Sequence, residues 1–155
     1  MIAWIVLALA TPGPPPVVTV SSPRVFLSAG ERGEAAILAR IEEGFRIQAN
    51  PASDPFLVPA RLEIEADDHV EAGAPAYPPG EPYRLEGAAE DLSVYRGEVL
   101  IRLPLVARRA PGEAGGERLL RGRLHYQACN ARMCLRPSSV PVEVWVIVRP
   151  SPAPR

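Results

Sequence analysis

Hydrophobic and polar residues alternate with a period of two along much of this chain, and 19 prolines interrupt it. Residues 61–66, RLEIEA, set leucine and isoleucine against glutamates, and residues 140–148 place five valines in phase. Such alternation is typical of half-buried strands, and prolines are tolerated poorly inside helices. The period is two, not the 3.6 residues of a helix. The sequence therefore predicts an all-β domain.

The predicted strands are short, and proline or glycine clusters separate nearly all of them. The strongest candidates are residues 34–42, 61–66, 94–107, 118–128 and 140–148, and weaker ones are 24–28 and 83–87. About seven short strands with turns between them favour a β-sandwich. With 47% hydrophobic residues in 155, one such domain has enough apolar side chains for a core.

The two ends of the chain differ from its middle. Residues 1–10, MIAWIVLALA, form an apolar run ending in Ala-Leu-Ala, a pattern suited to signal peptidase, although no Lys or Arg precedes it. This run is too short for a spanning helix, which takes about 20 residues. We predict an export segment and proline-rich spacer over 1–16, a folded domain over 17–149 and a disordered tail over 150–155. A buried N-terminal strand is the alternative for residues 1–10.

Charge and motifs exclude several classes of function. The net charge of −1 gives no basic surface for nucleic acid. The sequence has no GxSxG motif, no HExxH motif and no glycine-rich phosphate loop. We therefore expect no bound nucleic acid, no cofactor and no stable membrane span.

The only two cysteines, Cys129 and Cys134, lie in the segment YQACNARMC between the last two strong strands. We expect these strands to be antiparallel neighbours, with the cysteine pair on the hairpin between them. A disulfide there closes a loop of about six residues, which the chain-entropy model values at about 2 kcal/mol. This is a small stabilisation for a domain that is large enough to have its own hydrophobic core. The spacing favours a redox dithiol over a structural disulfide.

Positive side chains surround this segment in the sequence. Arg132 lies between the cysteines and Arg136 follows them, while Arg123 and His125 come from the preceding strand. Positive neighbours lower the pKa of a thiol and raise its thiolate fraction. The alternative, that these side chains only solvate a hairpin, stays open. Structural zinc takes four Cys or His ligands, and the nonstandard spacing and the acidic surroundings of His69 disfavour it.

The run YQACNARMCLRP, residues 126–137, resembles the signature of the N-terminal (alpha) domain of the thiol:disulfide interchange protein DsbD. That family typically shows Tyr-Gln-(Ala/Gly)-Cys, four or five residues, and then Cys with a proline two or three positions on. Residues 43–47, 56–59 and 93–98 are similar to further stretches of the family and come in the same order. The resemblance spans about residues 20–148.

The resemblance implies an immunoglobulin-like fold in the periplasm. It also implies that the cysteine pair takes electrons from a membrane or thioredoxin-like donor and reduces oxidised extracytoplasmic proteins, as a thiol–disulfide oxidoreductase. In this scheme Cys134 attacks and Cys129 resolves. Tyr126 and Gln127 shape the approach of the partner, and Phe45 packs beneath the hairpin.

Two features of this sequence depart from the family. Full-length members continue into a membrane domain and a thioredoxin domain, whereas this sequence stops at Arg155, so a relay is expected to run between separate proteins. The cap loop, whose aromatic residue shields the cysteines in the family, has its best candidate in residues 77–83. The alternative function is a non-catalytic immunoglobulin-like binding module with a permanent disulfide.

Overall fold

The computed structural model describes residues 16–109 and 115–150, and all regular elements in these ranges are β-strands. The strands are β1 (Val18–Ser21), β2 (Val25–Ser28), β3 (Arg32–Ile41), β4 (Arg46–Gln48), β5 (Arg61–Ile64), β6 (Val70–Ala72), β7 (Glu81–Tyr83), β8 (Leu92–Tyr95), β9 (Glu98–Ala107), β10 (Gly116–Tyr126), β11 (Ala128–Cys129) and β12 (Ser138–Arg149). The predicted all-β class is confirmed. No helix that could cross a membrane occurs in this part of the chain. Most of the predicted export segment and of the tail lies outside the described residues.

The strands form three sheets of four strands each. Their orders are β1-β3-β9-β6, β2-β12-β10-β5 and β11-β4-β8-β7. All neighbouring strands are antiparallel except β2 and β12, which run parallel. The first two sheets contribute most of one shared hydrophobic core, as in an immunoglobulin-like sandwich. The third sheet is built from strands of two to four residues and carries Cys129.

The core follows directly from the alternation in the sequence. In β9 the odd-numbered residues from Val99 to Ala107 are buried, and most of their even-numbered neighbours are exposed. Ile101 lies opposite Ile37 of β3, and each is at most 1% exposed. A shift of one residue would turn these side chains to solvent, so burial fixes the register of the strands.

Two predicted strands are each divided in the structure. Residues 94–107 break at Gly97, whose φ of 65° lies in the left-handed region that glycine adopts without strain. This turn separates β8 in the third sheet from β9 in the first. Residues 118–128 break at Gln127, which separates β10 from β11. The predicted strand at 83–87 instead ends at Tyr83.

Candidate redox site

The two cysteines form a disulfide, with an S–S distance of 2.01 Å and a Cα–Cα distance of 3.9 Å. β10 and β12 pair as far as Tyr126 and Ser138, so the predicted antiparallel hairpin is present near the C-terminus. Its connection, however, leaves the hairpin to form β11, which pairs with β4. Cys129 therefore belongs to the third sheet, whereas the sequence placed it at the end of the preceding strand.

The two cysteines differ in exposure. Cys129 is 0% exposed, whereas Cys134 is partly exposed. The residues just before Cys134 are all exposed, including Met133 at 58%. A partner protein that approaches this loop therefore meets Cys134 first.

Asn130 holds the loop between the cysteines in shape. Its side-chain oxygen accepts hydrogen bonds from the backbone N–H groups of Arg132 and Met133, each at 2.9 Å. The backbone N–H of Asn130 donates to the Met133 carbonyl at 2.9 Å, and that of Leu135 donates to the Ala128 carbonyl at 2.7 Å. Asparagine favours this kind of local turn. None of these bonds involves an atom of either cysteine.

We expect the reduced domain to remain folded for this reason. Breaking the bond between Cys129 and Cys134 should lower the free energy of unfolding by no more than about 2 kcal/mol, because the loop it closes is short. Urea denaturation with and without reductant measures the difference. Loss of cooperative unfolding on reduction would show that the disulfide is structural.

Gln127 connects the cysteine loop to two other segments. Its side-chain oxygen accepts a hydrogen bond from the Val58 N–H at 2.9 Å, and its side-chain nitrogen donates to the Leu135 carbonyl at 3.1 Å. Its own carbonyl accepts a hydrogen bond from the backbone N–H of Gln48 at 3.0 Å. The contacts of Gln127 therefore hold the cysteine loop in place. Its predicted role towards a partner stays a prediction.

The buried side chain of Gln48 contacts both sulfurs. It is 0% exposed, and its Nε2 donates to Cys129 Sγ at 3.1 Å and to Cys134 Sγ at 3.7 Å. No pattern in the sequence pointed to this residue, because β4 is only three residues long. Nothing in the alternation distinguishes a buried glutamine there from an exposed one.

The same face of the third sheet carries Arg46 and Tyr83. Arg46 lies opposite Cys129 in the pairing of β4 with β11, and its guanidinium carbon is 3.7 Å from the centroid of the Tyr83 ring. Tyr83 is the last residue of the predicted cap segment. Its first residue, Tyr77, instead accepts a hydrogen bond from the Leu62 N–H at 2.8 Å, and burial raises the pKa of its hydroxyl.

The loop between β7 and β8 touches the cysteine loop directly. The backbone N–H of Glu86 donates to the Ala131 carbonyl at 3.2 Å. The Glu86 carboxylate lies 3.8 Å from the guanidinium of Arg132, and both side chains are largely exposed. Glu86 therefore opposes part of the positive charge of Arg132. The lowering of a thiol pKa by Arg132 stays a prediction.

Tyr126 and Phe45 both pack in or against the hydrophobic core. Tyr126 is 4% exposed and belongs to the hydrophobic core, and Phe45 is partly buried against that core. Their predicted roles towards a partner or the hairpin remain predictions.

Arg123 and His125 have partners of their own. Arg123 donates to the Ser139 hydroxyl at 2.9 and 2.8 Å. His125 Nε2 lies 2.8 Å from the Glu63 carboxylate, and this hydrogen bond lowers the pKa of Glu63. No three metal-ligating side chains come together in residues 16–109 and 115–150.

The family described as thiol:disulfide interchange protein DsbD, N-terminal, matches residues 19–144, which include both cysteines and Gln48. The chain belongs to this family. The resemblance inferred from YQACNARMC is therefore confirmed. No curated protein matches the chain closely enough to add a relative.

Two of the solved structures that are similar to this chain are N-terminal domains of DsbD and ScsB. One is the DsbD N-terminal domain of Neisseria meningitidis in the reduced form, with 18% identity, a TM-score of 0.43 and coverage of 74% of this chain and 78% of that chain. The other is the N-terminal periplasmic domain of ScsB from Proteus mirabilis, with 12% identity and a TM-score of 0.48. That alignment covers 81% of this chain and 44% of the ScsB chain.

Proposed function

We propose that this chain is an extracytoplasmic thiol–disulfide carrier. It accepts electrons from a membrane or thioredoxin-like donor and reduces partner disulfides through Cys129 and Cys134. The observation that carries the proposal is the unequal exposure of the pair, with Cys129 at 0% and Cys134 partly exposed. An exchange dithiol needs one sulfur that a partner reaches and another close enough to expel that partner. Membership of a thiol:disulfide interchange family supports the same chemistry.

When the reduced domain reduces a partner disulfide, Cys134 acts first. Its thiolate attacks one sulfur of the partner disulfide, forms a mixed disulfide and releases the other partner sulfur as a thiolate. The Cys129 thiolate then attacks Cys134 Sγ, which re-forms the internal bond and releases the second partner thiolate. Two electrons have passed to the partner.

Reduction of the carrier follows the same route backwards. A donor thiolate attacks Cys134 Sγ, and Cys129 leaves as a thiolate. A second donor thiol then attacks the donor sulfur of the mixed disulfide and releases Cys134. Met133, at 58% exposure, offers an apolar contact to either partner beside the reacting sulfur.

The reduction potential tests this function against the permanent-disulfide alternative. We expect a value near the thioredoxin range, about −270 mV, whereas structural disulfides lie below about −300 mV. Equilibration with reduced and oxidised glutathione, followed by thiol labelling and mass spectrometry, gives the value. A potential below about −300 mV, together with resistance to a reduced thioredoxin-like donor, would favour the binding module.

A further inference from the structure

Gln48 combines complete burial with an incompletely satisfied amide. Its backbone N–H donates to the Gln127 carbonyl at 3.0 Å, and its backbone carbonyl accepts from the Ala60 N–H at 3.1 Å. Its side-chain Nε2 contacts the two sulfurs, but its Oε1 has no hydrogen-bond partner among the described residues. A buried acceptor without a donor is costly, so the oxidised site leaves one end of this amide unsatisfied.

Reduction changes what the sulfurs offer to this amide. In the disulfide both sulfurs are acceptors only. Adding two electrons and two protons breaks the S–S bond and gives two thiols, each of which is a weak donor. A thiol at Cys129 is then a donor beside the Gln48 amide, whose Oε1 lacks a donor when the disulfide is formed. When that thiol ionises, the Nε2–H group donates to a full negative charge, which strengthens the hydrogen bond.

We propose that Gln48 is a catalytic residue of the exchange reaction, whose amide stabilises the Cys129 thiolate that forms or attacks during exchange. The 3.1 Å contact to Cys129 Sγ, against 3.7 Å to Cys134 Sγ, directs this effect to the buried sulfur. The inference rests on the proposed function, in which Cys129 is the resolving thiol. In this proposal a side chain outside the cysteine segment controls the second step of exchange, in which Cys129 resolves the mixed disulfide.

Gln48→Met tests the proposal because it keeps the length of the side chain and removes both polar ends. The probe is an aromatic disulfide whose released thiolate absorbs visible light. Mixed with the reduced domain, it gives one released thiolate when Cys134 captures it and a second when Cys129 resolves the adduct. We expect the second phase to slow about tenfold in Gln48→Met, since a hydrogen bond to a charged group is lost. The first phase should be unchanged.

Two further readouts separate this effect from a loss of packing. The pH profile of the second phase should move to higher pH, because Cys129 would ionise less readily without the amide. The equilibrium with glutathione should shift about fivefold towards the disulfide, which is about 20 mV for a two-electron couple. Gln48→Leu, of similar volume, takes the place of Gln48→Met if that variant does not fold.

Val94→Ala is the matched control. Val94 lies opposite Gln48 in the pairing of β4 with β8 and is also 0% exposed, but it is apolar. Its truncation should lower the melting temperature in both redox states and leave the second phase, its pH profile and the glutathione equilibrium unchanged.

Two outcomes would overturn the role of Gln48. One is a Gln48→Met domain whose second phase and pH profile match those of the unaltered protein. The other is a Val94→Ala domain with the same slowing as Gln48→Met. If the unaltered domain released no thiolate at all, the carrier function itself would be wrong. The two failures are therefore distinguishable.

Discussion

Ile101→Ala should lower the free energy of unfolding by about 2–5 kcal/mol, the usual cost of truncating a fully buried isoleucine. Leu100→Ala, one residue earlier on β9, should change it by less than about 1 kcal/mol. Ile101 is 1% exposed and Leu100 is 41% exposed, because successive side chains of a strand point to opposite faces. Urea denaturation of the oxidised domain measures both differences.

The pair is a matched test because both variants remove aliphatic side chains from one strand. For a domain of this size each 1 kcal/mol corresponds to roughly 2–4 °C in melting temperature, so Ile101→Ala should melt roughly 4–20 °C lower. The gap between the variants should be the same after reduction, because β9 and β11 belong to different sheets. Equal costs for the two variants would contradict the register that sets Ile101 against Ile37.

Alternation predicted the long strands well and the short strands poorly. The strands β3, β9 and β12 each have ten residues or more, so a period of two is visible in their sequences. β1, β4 and β6 have only three or four residues each, which is too short for any period to stand out. The immunoglobulin-like arrangement came from the family resemblance, since alternation alone does not set the order of strands.

The cysteine pair was predictable, whereas most of its surroundings were not. Spacing and the family signature both pointed to Cys129 and Cys134. Gln48 lies 81 positions from Cys129, and only the pairing of β4 with β11 brings them together. Glu86 likewise meets Arg132 through a loop of another strand pair. The sequence around Cys129 and Cys134 contains Arg132, but it does not indicate that the Glu86 carboxylate lies near it.

This arrangement separates the reacting sulfurs from the part of the molecule that provides its stability. Cys129 is buried, but it lies outside the hydrophobic cluster to which its neighbour Ala128 belongs. The loop keeps its shape through Asn130, and its position through Gln127. We therefore expect the bond between the cysteines to open without a large change in the core.

Cys129→Ser should accumulate a mixed disulfide with an oxidised thioredoxin-like partner, and Cys134→Ser should form none. In Cys129→Ser the partly exposed Cys134 still attacks, but no internal thiol remains to expel the partner. Intramolecular attack has a very high effective concentration, so its loss should prolong the adduct by at least about 100-fold. In Cys134→Ser the remaining sulfur is 0% exposed and out of reach of a partner. Non-reducing electrophoresis of each mixture measures the adduct.

Urea denaturation checks that both variants fold. Substitution at the buried position 129 is more apt to destabilise the domain than substitution at position 134. A serine at position 129 places a hydroxyl beside Gln48 Nε2, which can donate a hydrogen bond to it, so we expect Cys129→Ser to fold. An adduct on Cys134→Ser as abundant as on Cys129→Ser would reverse or remove the assigned order of attack. If neither variant forms an adduct, and the unaltered bond resists physiological dithiols, the carrier hypothesis is wrong and the permanent-disulfide binding module replaces it.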